Sequence, residues 1–372
     1  PTGEAIFDWV VPVHAAHTGD DGELSATLSL LEAVGNGITT TVEAGTVAHP
    51  ERVAAAFERV GVRGTVGTWG WDRGQGPFTA RTDEILENQR SVVDTWPAGG
   101  LVEGWVTLVG HDLASDRLFA EAAELARAAG TSLTFHMSPS PDDGFAFTQR
   151  TGKRPINHLA DLGVLGPETL IAHAVYLDDG ELDLLIDTRT AVSYCPWAYL
   201  RLGQGVSIAG RHLEFHRRKG RLALGCDTEN AGDSIDALRV GALAAGLARD
   251  MSCNPTAFGA HEALELLTIR GAEAIGMADR VGSLEVGKAA DLVVHDLSSV
   301  GSTPAAIDPA LQLLWAGDGR AVTDVIVDGV AVLQDGVSTR VDHRDLVSEA
   351  KLAQRKLLRQ AGLSPSPRWP VR

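Results

Sequence analysis

Cysteine is scarce. The 372 residues hold three, Cys195, Cys226 and Cys253, which cannot all pair within one chain, so reduced thiols and a cytoplasmic location are expected. Long apolar runs are missing too. None approaches the roughly 20 residues needed to cross a bilayer, which excludes a membrane partner of that kind. No basic, apolar, small-residue leader opens the chain, so nothing indicates export. Positive charge is in deficit, with 32 Lys and Arg against 49 Asp and Glu and a net charge of −17. That excludes a nucleic-acid partner, since phosphates need a basic face, and it otherwise bears on solubility rather than on fold. There is no internal repeat and no low-complexity linker. What remains is the composition of an ordinary soluble globular protein, 44% hydrophobic and 22% charged, long enough for one large barrel or two domains.

Short apolar runs alternate with helical patterns along most of the chain. Strand-like runs are "GITTTVEAG" (37–45), "RGTVGTWGW" (63–71), "LVEGWVTLVG" (101–110), "TSLTFHMS" (131–138), "TLIAHAVY" (169–176), "TAVSYCPW" (190–197) and "RLALGCDT" (221–228). Helices are expected at 22–36, at 50–60 with Pro50 in the first turn, at 115–129 between a Ser115 cap and Gly130, and at 179–187. Strands rich in Val, Ile and Leu separated by single helices imply parallel pairing with helical crossovers. Repeated right-handed crossovers imply a (β/α)₈ TIM-type barrel. Seven strands are one short of closure, which would leave two exposed edges. The expectation is that strand one lies upstream of these residues.

Between the sixth and seventh runs lies a long loop with a basic segment, "RHLEFHRRKGR" (211–221), and helical stretches near 233–249 and 259–276 follow the seventh. Residues 282–296 and 322–336 are β-rich, and the second stretch carries Asp328-Gly329, a tight-hairpin signal. The domains expected are a barrel over 1–280, part of a small β-sandwich over 281–341, and a C-terminal helix (343–360) with a loose tail over 342–372.

Functional side chains of such a barrel sit at the C-terminal ends of its strands. His136 ends "SLTFH", His173 lies toward the end of "LIAH", and Asp227 ends "LALGCD". One such residue at the rim is unremarkable in a core strand, but three on separate strands imply a shared pocket. Imidazole nitrogen and carboxylate oxygen suit zinc, iron or cobalt. A bound metal makes hydroxide available near neutral pH, and a neighbouring carboxylate can carry its proton. His136 and Asp227 are therefore candidate ligands, with Asp227 also catalytic, and His173 is a candidate for polarising a carbonyl. Trp69, Trp71, Trp197 and Tyr199 follow strands at the same rim and suit a flat or apolar substrate. His111 and Tyr194 join them as candidate pocket residues. Glu43 and Glu229 are read as solvated or capping groups, Cys195 and Cys226 as core, and Asp142 and Asp143 as turn residues.

The segments 154–205 and 263–296, the latter "ALELLTIRGAEAIGMADRVGSLEVGKAADLVVHD", resemble the amidohydrolase superfamily in its cytosine deaminase-like and chlorohydrolase-like branch. The likeness runs from about 24 to 335. It implies a metal-holding barrel with a β-sandwich. It also implies His136 as metal ligand, His173 as catalytic or substrate-polarising group, and Asp227 as ligand and proton shuttle. Dimers or higher homo-oligomers are expected from it as well.

Three departures shape the functional expectation. The family's His-x-His pair is absent, and "HAAH" (14–17) has the wrong spacing and precedes the first expected helix. Pro139 stands three residues after His136, where related deaminases carry glutamate. Tyr194 stands where many relatives have histidine. Strand four also lacks the lysine of two-metal members, which implies a single divalent ion, zinc foremost. Proline cannot donate a proton to a ring nitrogen. The leading reading is therefore hydrolysis of a C–N bond in an amide, carbamate, thiocarbamate or urea, with phenylurea and molinate hydrolases as analogues. The alternatives are an aminohydrolase or dechlorinating hydrolase of a nitrogen heterocycle, and a metal-free, non-enzymatic barrel subunit.

Overall fold

Capping residues and glycines mark the ends of several helices. The computed structural model describes residues 6–364 and 369, apart from the side chains of Ile6, Glu229 and Asn230, so the Glu229 reading and most of the tail lie outside the described residues. Helix Pro50–Val60 opens on proline and closes at Gly61, φ 85°. Helix Asp116–Ala129 is capped by the Ser115 hydroxyl, which accepts from Leu118 N–H at 3.1 Å, and closes at Gly130, φ 65°. Helix Gly19–Gly35 starts three residues before the expected 22, because Thr18 and Asp21 form a capping box upstream. Helix Asp179–Asp187 stands as expected, with Asp178 and Glu181 as its capping box.

Eight parallel strand segments follow in two sheets. β1 (Thr40–Val42), β2 (Arg63–Val66) and β3 (Val102–Gly104) form one, in that order. β4 (Val106–Gly110), β5 (Leu133–Met137), β6 (Thr169–His173), β7 (Ala191–Tyr194) and β8 (Arg221–Leu224) form the other. The single strand expected at 101–110 is thus two strands, one in each sheet, broken at Trp105. The break has a visible cause. Gln89, fully buried on helix Thr82–Thr95, donates through Nε2 to the carbonyls of Thr68 (3.0 Å) and Thr107 (2.7 Å). Its Oε1 accepts from Thr107 N–H at 2.9 Å. One side-chain amide therefore does the pairing that a β2–β4 ladder would otherwise supply.

The sheets have two faces. Leu133, Phe135, Ile171, Val192 and Leu222 join the main core against the surrounding helices. Trp105, Leu170, Ala191 and Ala223 point the other way and cluster with Val42 of β1 and with Ala274 and Ile275 at the end of helix Ile269–Ala274. Inner residues of both sheets thus meet around one interior, as a TIM-type barrel requires. The edges β1 and β8 are not hydrogen-bonded to each other among the described residues.

Beyond β8, the helix expected at 233–249 is Ala237–Ser252, and the one expected at 259–276 is two, Ala260–Leu267 and Ile269–Ala274, broken at Thr268. The basic segment expected as loop holds a short helix, His212–Arg217. β9 (Leu292–His295), β10 (Val322–Val327), β11 (Val330–Gln334) and β12 (Val337–Ser338) make one antiparallel sheet, order β12-β11-β10-β9. Asp328 and Gly329 form its hairpin turn with φ of 49° and 79°, the pair of positive values that a type I′ turn needs. Helix His343–Gln360 closes the described chain.

Candidate active site

The ends of the parallel strands carry a set of residues in left-handed backbone: His111 (φ 51°), Ser138 (54°), His173 (84°), Ala174 (49°) and Asp227 (63°). Non-glycine residues adopt this region at a cost of roughly 1–3 kcal/mol each, and such strain gathers at functional sites. Here it falls after β4, β5, β6 and β8, on the rim expected to hold the chemistry. Gly110 makes the rim possible: its φ is 80°, and a Cβ there would lie 2.2 Å from the carbonyl oxygen of His136.

His136 alternates with the core-facing Phe135 and Met137 and so points inward from β5. Its Nδ1–H donates to the Val109 carbonyl at 2.9 Å. A carbonyl can only accept, so the proton is on Nδ1 and the Nε2 lone pair is left bare. The same arrangement orients ligating histidines in metal sites. Burial first, and His111 second, hold its pKa down to about 4, so the ring is neutral and available as a donor.

The His173 ring lies 5.4 Å from that of His136, centroid to centroid, and 5.5 Å from that of Tyr199. Its Nδ1 is buried without a hydrogen-bond partner among the described residues. Its carbonyl accepts from His212 Nε2–H at 2.7 Å. Burial, followed by His136, His111 and His212, lowers its pKa well below the ordinary value. Asp227 accepts from Thr228 N–H at 2.7 Å through Oδ1, and burial raises its pKa against that bond.

His111 stacks beside His136 at 5.9 Å. Its Nδ1–H donates to Asp143 Oδ2 at 2.8 Å, and the same oxygen accepts Ser138 N–H at 2.6 Å. Burial pulls the His111 pKa down, but the Asp143 charge and hydrogen bond outweigh it and the net shift is upward. Asp143, expected as a turn residue, lies in the first turn of helix Pro141–Thr151 and fixes His111. Neither it nor His212 carried a usable signal, since their partners lie 32 and 39 positions away in sequence.

The aromatic candidates part company. Trp69 and Trp71 are buried with Val11 and Val109. Trp69 stacks on Phe78 at 4.4 Å and its Nε1 has no partner, whereas Trp71 Nε1 donates to the Thr79 hydroxyl. Trp197 Nε1 donates to the Gly232 carbonyl, and Arg239 lies over its ring at 4.8 Å. Tyr194 joins the outer core with Val192. Its ring stacks on His212 at 4.0 Å. Glu43 caps its turn by accepting from the N–H groups of Gly45 and Thr46. Within "HAAH", His14 lies on helix Val11–Ala16, edge-on to Trp69 at 5.7 Å.

The donor chemistry of His136 and Asp227 fits a divalent ion. Among the described residues, however, no group of three or more His, Cys, Asp and Glu is placed to hold one. Two such residues alone would not make a complete cage.

The chain belongs to the amidohydrolase family, which it matches over residues 7–332. It is thereby a hydrolase of carbon–nitrogen bonds other than peptide bonds. It is 32% identical over 371 residues to a 5-methylthioadenosine/S-adenosylhomocysteine deaminase of Symbiobacterium thermophilum, covering 95% of this chain and 81% of the relative. A 5'-deoxyadenosine deaminase of Methanosarcina mazei is 29% identical, covering 93% and 78%. An adenosine deaminase of Xanthomonas campestris, crystallised with bound zinc, superposes with a TM-score of 0.90 at 26% identity over 96% of this chain and 80% of that one. A mutant atrazine chlorohydrolase of Arthrobacter aurescens, complexed with zinc and atraton, gives 0.85 at 23% identity, covering 91% and 78%, and so attests the fold. The neighbours fall in the deaminase and chlorohydrolase branch, as the sequence resemblance implied. Among the described residues no helix is long and apolar enough to cross a membrane.

Proposed function

We propose that this chain is a metal-dependent hydrolase that cleaves a C–N bond of a small molecule, with His136 and Asp227 as ligands of one divalent ion. The observation that carries the reading is the bare Nε2 of His136, fixed by Val109 and set beside His173. An ion held there supplies Lewis acidity and brings the pKa of water toward neutrality; zinc, the metal in two structural neighbours, is favoured, and iron or cobalt suit the same donors. Asp227, whose carboxylate burial makes more basic, takes a proton from the nucleophilic water and returns it to the departing nitrogen. His173, neutral and with an uncommitted Nδ1, donates from that atom to the oxyanion as it develops. Trp69 and Trp71, with His111, wall the pocket.

Two substrate classes compete. Pro139, buried after β5, offers no proton, and this favours amides, carbamates, thiocarbamates or ureas. The relatives are named as deaminases of adenosine-type nucleosides, and this favours the nitrogen-heterocycle reading. That reading needs another acid in place of glutamate, and His111, whose pKa Asp143 raises against burial, is the candidate beside His136. Membership of an enzyme family leaves the metal-free subunit without support. The wider reading is a TIM-type barrel over 1–280, part of a β-sandwich over 281–341, and a helix and tail over 342–372, in a cytoplasmic homo-oligomer. The test is a screen of metal-replete, full-length protein. Ammonia release is followed from 5'-deoxyadenosine and 5-methylthioadenosine, and amine release from phenylureas, thiocarbamates and simple amides. Turnover in one class assigns it; none in either class contradicts the proposal.

A further inference from the structure

Behind the rim, on the outer side of β7 and β8, lies a cavity of about 200 Å³ between these strands and helices His212–Arg217 and Ala237–Ser252. Its walls are largely apolar, with Val206, Leu222, Ala248 and Phe258 among them. Of its three charged lining residues, Arg211 and Glu214 pair at 2.7 Å and Arg217 is exposed.

Two buried polar groups face this space. Tyr194 is 7% exposed, lines the cavity, and its hydroxyl makes no hydrogen bond among the described residues. His212 is 5% exposed and also lines it. Because its Nε2–H donates to the His173 carbonyl, the neutral ring carries its lone pair on Nδ1, and that atom has no hydrogen-bond partner either. Stacking at 4.0 Å with 12° between planes locks the two rings side by side, so the cavity presents one donor and one acceptor at a fixed spacing.

We propose that this cavity is a second ligand site, for a small neutral molecule with an apolar body and an amide-like edge. The edge donates an N–H to His212 Nδ1 and accepts the Tyr194 O–H on its carbonyl oxygen. A charged ligand is disfavoured because Arg211 and Glu214 are spent on each other, the exposed Arg217 keeps its charge in water, and the remaining walls are largely apolar. Through the His212–His173 hydrogen bond the occupant touches the backbone of His173. That link to turnover rests on the proposed function; binding itself does not.

Benzamide has the required edge and ring, and serves as the probe. Titrated into the full-length protein by calorimetry, it binds saturably. N,N-dimethylbenzamide, which has no N–H, binds about tenfold more weakly, the worth of one hydrogen bond. Tyr194→Phe weakens benzamide by a similar factor, and Ala248→Phe, which fills the space, removes binding. Nitrogen-15 spectra of His212 show an unprotonated Nδ1. Asp227→Asn binds benzamide as the wild type does, so a failure of the catalytic reading leaves this result standing. Absence of saturable binding overturns the proposal. So does binding that is indifferent both to Tyr194→Phe and to the loss of the amide protons, an outcome that remains decisive if Ala248→Phe fails to fold.

Discussion

Asp227 combines a strained backbone, a half-buried carboxylate and one oxygen held by Thr228. Asp227→Asn keeps the size of the side chain and removes its charge. It is expected to lower turnover at least about 10³-fold with an unchanged melting curve; retained activity removes Asp227 from its role. His212 makes a different prediction. Burial holds its pKa at about 4 against an ordinary 6.5, so the folded state keeps it neutral while the unfolded chain protonates it. Its contribution to stability is present above pH 6.5 and is lost as pH falls from 6.5 toward 4. At pH 4.5 the loss is about 2.5 kcal/mol. Urea denaturation at pH 7 and 4.5 should show His212→Asn less acid-sensitive than wild type by that amount; equal sensitivity contradicts it. At this scale the sequence was partly readable. His136, His173 and Asp227 could be named as candidates because strand ends select rim positions, and the left-handed backbone at His173 and Asp227 falls there. Asp143 and His212 were not, because their importance lies in contacts made across the fold. Tyr194 was assigned to the rim, yet strand alternation turns it to the outer core.

At the scale of elements, local chemistry was legible and long-range pairing was not. Serine, proline and glycine marked helix ends at Ser115, Pro50 and Gly130, and Asp328-Gly329 marked a hairpin. Helices Pro141–Thr151 and Pro155–Asp161 also open on proline, a signal not used. The division of 101–110 into β3 and β4 was invisible because its cause is Gln89, on a preceding helix. Gln89→Leu leaves the Thr107 N–H without its acceptor and the Thr68 and Thr107 carbonyls without their shared donor. A loss of about 3 kcal/mol is expected in urea denaturation, and a loss below about 0.5 kcal/mol would show that the amide does not join the sheets. Gly110→Ala forces a methyl group against the His136 carbonyl at a positive φ. It should lower zinc affinity together with stability, and an unperturbed variant would show that the β4–β5 crossing does not set His136.

The whole molecule is a pair of parallel sheets around a shared interior with an antiparallel sheet attached, and it spans about four-fifths of the relatives it matches. The alternation of strands and helices made this architecture legible, whereas the substrate class stays divided between Pro139 and the named activities of the relatives. Both substrate readings depend on the same ion. Zinc affinity of the full-length protein, measured by competition with a chromogenic chelator, is the most direct test of that dependence. The account predicts tight binding that weakens about a hundredfold or more in His136→Ala and in Asp227→Asn, while His173→Ala keeps the wild-type value. Equal affinity in wild type and His136→Ala would contradict it.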